Sequence, residues 1–230
     1  RATLVLAWGG FALVALYVWG NSGSKVALMT WRIVGALSAF LAVVAQTLLM
    51  NPIAEGIRVG TTPIFNGLLL GYLLPAMLAA LALRMARQAG ETRAVTIAAL
   101  TAMILAFAWV TLEVRHVFDP TFAGDPFDAE GVELYSYSAA WLVFGLALLA
   151  IGMWRHVPAL RHAGMIMVLL VVAKVFLIDM SGLQGLLRVL SFLGLGAALV
   201  GLGYAYRRFV FAADERPELV PPPPPSPTTP

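Results

Sequence analysis

Cysteine is absent from the 230 residues, so no disulfide staples the chain and no thiolate is available for a zinc or iron–sulfur site. Charge is scarce as well. Asp, Glu, Lys and Arg together make up 12%, about half the share that coats a water-soluble domain. The net charge is only +3 and the basic residues are scattered singly, which excludes the dense basic stripe of a nucleic-acid-binding surface. What fills the chain is apolar: 60% of residues are hydrophobic and the mean hydropathy is +0.87. Such a composition belongs in a bilayer, and it predicts an all-α fold, a polytopic transmembrane helical bundle.

A helix crosses the hydrocarbon core with about 20 apolar residues, about 17 at the low end. Windows of that length bounded by charge, Gly or Pro predict seven spans, at residues 3–19, 26–49, 64–83, 94–111, 136–153, 163–177 and 187–206. Arg32 lies inside the second window and must snorkel toward the headgroups. The sixth is short unless it runs past Lys174 to Asp179. Between the fourth and fifth spans, residues 118–133 gather Asp119, Asp125, Asp128, Glu130 and Glu133 among Pro and Gly breakers, the signature of an aqueous loop. Residues 1–209 are read as the bundle. Residues 210–230, which include the run Pro221 to Pro225, are read as a disordered cytoplasmic tail. The chain starts with Arg1 and enters a span at once, the pattern expected of a piece whose partner is the upstream part of the same polypeptide.

The positive-inside rule gives the orientation. One set of connections carries Lys25, then Arg84, Arg87 and Arg93, then Arg155 and Arg161, then Arg207 and Arg208; the other carries Arg58, Arg115 and Arg188, with Arg1 and the acidic loop. The first set is placed in the cytoplasm against anionic lipid heads, and the acidic loop outside. Within the spans, Gly67 with Gly71, Gly194 with Ala198 and Ala197 with Gly201 have the small-residue spacing that lets helices approach. Pro75 lies four residues after Gly71, so it should bend the third helix and free the Gly71 carbonyl, which then needs a partner.

Ionisable groups inside spans are functional candidates, and on this topology they converge on the outer leaflet. They are Glu113, Arg115 and His116 closing the fourth span, Lys174 and Asp179 closing the sixth, and Arg188 opening the seventh. Asn66, Tyr135, Tyr137, Ser138, Ser181 and Ser191 join them. Glu113 and His116 share a helix face. Lys174 and Asp179 are about 140° apart on an α-helix, so each is expected to pair with another span. No metal site or cofactor is expected: His116 is outside while His156 and His162 are inside, and no G-x-S-x-G or P-loop spacing occurs. Carboxylate, imidazole and cations at a bundle rim fit a binding pocket, general acid–base chemistry, an ion path, or a structural network that fixes helix register. Few polar residues continue inward, which counts against transport.

Residues 51–63, Asn66, LLLGYLLP at 68–75, LEVRH at 112–116, YSYSAAW at 135–141 and KVFLIDMSGLQGLLRVLSF at 174–192 resemble the C-terminal membrane region of the bacterial membrane proteins called DUF2339. The resemblance implies a bacterial inner-membrane location and supplies no reaction. It singles out mostly the same residues: Asn66, Glu113, Arg115, His116, Tyr137, Ser138, Lys174, Asp179 and Arg188. The expectation is a multi-pass protein of the inner membrane with a periplasmic polar pocket for an envelope lipid, glycan precursor or anionic group. The alternatives are an enzyme of envelope lipid or glycan modification, with Glu113 or Asp179 as acid or base and Arg115, Lys174 and Arg188 as anion clamps, and a transporter.

Overall fold

The computed structural model of the protein describes residues 2–49, 52–55, 59–60, 62–123, 131–179 and 186–207. The Pro-rich tail, Arg58, Ser181, Asp125, Asp128 and Glu130 lie outside the described residues, as do the side chains of Arg188 and Ser191. The described residues form helices and no strand: α1 (Ala2–Ser22), α2 (Lys25–Phe40), the short α3 (Pro52–Glu55), α4 (Leu74–Gln88), α5 (Thr92–Phe118), α6 (Val132–Trp154), α7 (Pro158–Lys174) and α8 (Leu186–Tyr206). Three of them run on through wider turns with π-type hydrogen bonding, at Leu41–Leu49 after α2, Leu69–Leu73 before α4 and Val175–Asp179 after α7. Among the described residues, six continuous helices are long and apolar enough to span a membrane, and α8 contains a shorter apolar stretch, Phe192–Tyr204. The protein is an all-α polytopic membrane bundle.

Several boundaries differ from the windows read in the sequence. The third span begins at Leu69, so Asn66 sits ahead of the helix in its entry segment. The fourth continues to Phe118 and the fifth starts at Val132, which moves Glu133 from the aqueous loop into the first turn of α6. The sixth does reach Asp179. Polar residues at helix ends cause these differences: their backbone continues the helix while hydropathy alone stops the count.

The bundle divides into two compact units, Arg1–Phe144 and Gly145–Pro230. In the first, α1 packs on α2 and α4, and α4 on α5. Its core has one cluster around Trp31, Leu16, Ala86 and Ala98, and a second around Leu68, Tyr72, Leu105 and Leu112. Large apolar side chains such as Phe11, Val14, Met77 and Leu100 remain exposed on the outside, as a lipid-facing surface requires. Tight turns join neighbours. Gly90, at a φ of 73°, supplies the left-handed residue that ends α4, and the Glu91 N–H closes back on the Ala86 carbonyl at 3.0 Å.

The carbonyl that Pro75 frees has its partner. The Gln46 side-chain amide, from the wide-turn stretch Leu41–Leu49, donates to the Gly71 carbonyl, and the Tyr72 hydroxyl donates in return to the Gln46 carbonyl at 3.1 Å. Two helices that each depart from α geometry thus satisfy one another's exposed backbone inside the bundle. Gln46→Leu keeps the volume and removes the donor; it should lower unfolding free energy by about 1 kcal/mol, read by reversible unfolding in mixed micelles.

In the second unit, α6 and α7 meet through glycine. A Cβ on Gly164 would lie 2.6 Å from the Leu149 N and 2.9 Å from the Gly145 O, so the two backbones are in contact. Gly145 and Gly152 face α7 in the same way. Of the small-residue pairs read in the sequence, Gly194 meets the Phe176 ring, Gly67 meets Val59 of the preceding segment, and Gly201 has nothing within 4 Å among the described residues. Arg161, read as a cytoplasmic surface charge, is instead buried.

Candidate functional site

α5 is apolar for most of its 27 residues and becomes polar only in its last turns. There Glu113 and His116, three residues apart, share one face, and Arg115 takes another. Each face organises its own group of partners.

On the first face the entry segment of α4 folds over the end of α5. Asn66 is the hinge of this contact. Its Oδ1 accepts from the Leu68 N–H at 2.8 Å, which fixes the amide, so Nδ2 donates to Glu113 Oε1 at 2.9 Å and to the Thr62 carbonyl at 3.2 Å, and faces His116 Nδ1 at 3.4 Å. The second carboxylate oxygen accepts from the Ile64 N–H at 3.3 Å. His116 is only 2% exposed, and its Nε2 lies 2.8 Å from the Gly60 carbonyl. A carbonyl only accepts, so Nε2 is the donor there, and Nδ1 faces the Asn66 amide. The backbone thus sets which way the ring faces. Glu113 Oε2 stands 3.9 Å from Nδ1. Gly60, at a φ of 119°, allows the chain to bring that carbonyl to the ring.

Backbone strain surrounds this pair. Ile64 has a φ of 68° and Phe122 one of 52°, conformations costly for side chains of their size, and for a β-branched residue above all. Both strained residues touch the pair, Ile64 through its N–H and Phe122 by stacking on the imidazole with ring centroids 6.1 Å apart.

On the second face Arg115, 5% exposed, reaches α6. Nη1 pairs with Glu133 Oε1 at 2.8 Å and Nη2 with Asp119 Oδ2 at 3.3 Å. The Tyr137 hydroxyl, one turn after Glu133, donates to the same Glu133 oxygen at 3.2 Å. Below it Trp141 Nε1 donates to Thr111 Oγ1 at 3.1 Å, and the Trp141 ring packs on Phe107. Ser138 is buried on α6 beside Tyr137; Tyr135 is exposed.

In the second unit Lys174 Nζ and Asp179 Oδ1 bond to one another at 2.6 Å. The expectation that they diverge is corrected by the wide turn Val175–Asp179: its i→i+5 hydrogen bonding brings residues five apart onto one side.

The sequence-predicted residues thus fall into three groups: Asn66, Glu113 and His116; Arg115 with Tyr137; and Lys174 with Asp179. Sequence reading missed Glu133 and Asp119 as partners of Arg115, and the backbone groups of Gly60 and Ile64. The spacing of Glu133 and Tyr137, four apart on one helix face, is a signal for the first; backbone groups leave none.

The last turns of α5, the entry segment of α4 and the first turns of α6 that build the first two groups all lie inside a stretch, residues 1–209, that matches the model of the predicted membrane proteins DUF2339. The chain belongs to the DUF2339 family. No curated protein and no solved structure matches it.

Among the described residues of this DUF2339 protein, the α5 cluster holds three carboxylates, Glu113, Asp119 and Glu133, against one guanidinium, Arg115, beside the His116 imidazole. That balance disfavours an anion. Glu113 uses two acceptor positions on Asn66 and Ile64 out of the about four a carboxylate offers, so the chemistry available is acceptance of hydrogen bonds from hydroxyl or amine groups, with His116 as a neighbouring proton carrier.

Proposed function

We propose that this DUF2339 chain binds the hydroxyl-bearing headgroup of an envelope lipid or glycan precursor at the periplasmic face of the bacterial inner membrane, with Glu113 as the principal acceptor and Asn66 and His116 as its positioning residues. The observation that carries this reading is the pair of half-buried Glu113 and buried His116, held beneath a strained Ile64 whose N–H binds Glu113. Strain of this kind costs about 1–3 kcal/mol and persists where a site over-determines the backbone. Arg115, neutralised by Glu133 and Asp119, supports the packing of α6 instead of acting as an anion clamp. An enzymatic reading rests on the same pair, because an imidazole beside a carboxylate suits general acid–base work.

Two measurements test this. Mass spectrometry of species that copurify with the full protein should show a headgroup-bearing molecule depleted about tenfold in Glu113→Gln, the loss of a hydrogen bond to a charged acceptor, with helical content unchanged. Equal amounts in both proteins would leave only a structural network. Mass changes in that molecule during incubation would favour the enzyme.

The orientation has its own check. Alkaline phosphatase fused within the acidic loop after Asp125 should be active, and fused after Arg87 inactive. The reverse pattern would put the site in the cytoplasm.

A further inference from the structure

Toward the other end of α5, separate from the Glu113 site, the first unit contains a cavity of about 550 Å³ between α1, α2, α4 and α5. Thr92 and His116 are 24 residues apart along α5, about 36 Å of helix, so the cavity mouth and the Glu113 site occupy opposite ends. Its volume lies within the range of about 300–1,000 Å³ typical of small-ligand sites. The wall is made of small residues, Gly9, Ala12, Gly35, Ala79, Ala82 and Ala98, and the deep end of Val5, Ala42 and Leu105. Along α5 the lining runs from Thr92 to Leu105, 13 residues or about 20 Å. That matches the passage from headgroup level to just past the midplane of a core about 30 Å thick, the depth of one leaflet.

The mouth differs in kind from the wall. Arg32, Glu91 and Arg93 line it. Arg32 Nη2 pairs with Glu91 Oε1 at 2.7 Å, which neutralises both, whereas Arg93 has no carboxylate partner among the described residues. Next to Arg32 on α2, Trp31 lines the wall, 5% exposed, and its indole N–H is buried with no acceptor among the described residues. A buried Trp N–H ordinarily has one. An apolar slot of this length offers dispersion contacts along its whole wall to a hydrocarbon chain.

We propose that this cavity binds one acyl chain of an anionic phospholipid of that leaflet, with the phosphate at Arg93 and the Arg32–Glu91 pair and an ester carbonyl at the level of the Trp31 N–H. A hydrocarbon tail fills the small-residue wall, the single uncompensated cation selects for negative charge, and the ester supplies the missing acceptor. This site is independent of the Glu113 reading and stands or falls separately from it.

The test uses the full protein in phosphatidylethanolamine vesicles doped with phosphatidylglycerol that carries a photoreactive diazirine on its acyl chain. Cross-links mapped by mass spectrometry should fall in residues 35–39 and 79–82. They should be removed by excess unlabelled phosphatidylglycerol and not by phosphatidylcholine. Ala79→Phe, which fills the slot, should abolish them while leaving labelling of exposed surface residues such as Phe11 and Val14 unchanged. Arg93→Gln, at an exposed position that leaves the packing intact, should weaken phosphatidylglycerol competition about fivefold, the effect of one basic residue at a membrane surface. Labelling spread evenly over the exposed apolar surface and indifferent to Ala79→Phe would overturn the proposal. So would equal competition by phosphatidylcholine, or labelling by a diazirine fatty acid alone.

Discussion

Arg115→Leu should lower the unfolding free energy by about 3–5 kcal/mol, the cost of leaving a buried charge without its partner. The Arg115 side chain is 6% exposed, and its two carboxylate partners, Glu133 and Asp119, are 14% and 21% exposed, so water cannot rescue them cheaply. Glu133 is the more buried acid and already accepts from Tyr137; without the guanidinium, its charge would strain the start of α6. The double variant Arg115→Leu/Glu133→Leu should recover most of the loss, because a buried ion pair replaced by apolar groups of similar size is often neutral. Reversible unfolding in mixed micelles, followed by circular dichroism, measures both. A single-variant effect below about 1 kcal/mol would show that the pair behaves as an exposed one.

Gly164→Val should be the most damaging substitution in the second unit, at about 3 kcal/mol or more. The nearest atoms to a new Cβ at this position are the Leu149 N and the Gly145 O. Backbone atoms cannot rotate aside as side chains do, so α6 and α7 must separate and lose the contacts on either side of the crossing. Gly196→Ala is the matched control: nothing lies within 4 Å of its Cβ among the described residues, and an Ala in a helix should stabilise by about 0.5–1 kcal/mol. Thermal unfolding of the two variants beside the parent protein separates loss of close approach from loss of glycine as such. Similar shifts for both would remove glycine contact as the basis of the α6–α7 crossing.

The spans were legible because hydropathy over about 20 residues reflects solvation by lipid, and the demand for a partner at the Gly71 carbonyl was legible because Pro75 makes it a local matter. The identity of that partner was not, since Gln46 lies 25 residues away. Glu113 and His116 could be placed on one face by counting, but Asn66 was read into a helix it only precedes. Glu133 was hidden by its neighbours: a carboxylate next to Asp125, Asp128 and Glu130 reads as loop until a buried Arg115 claims it. Lys174 and Asp179 were misjudged for one reason, that the count assumed 3.6 residues per turn where the helix does not keep to it. The crossing of α6 and α7 escaped because Gly145, Gly152 and Gly164 do not form the four-residue spacing within one helix that marks small-residue contacts. Their match is made between helices.

The wide turn at Leu69–Leu73 sets a phase. An α-helix advances about 100° per residue, so one residue more or fewer in that stretch would turn everything ahead of it relative to everything after it. α4 beyond Pro75 is fixed by its packing on α1 and α5, and Asn66 is fixed by Glu113. The extra residue accommodated between them keeps both in register, so chain length there acts as a dial. Deleting one residue from the turn would leave every side chain of the site in the sequence and rotate Asn66 off the carboxylate it holds.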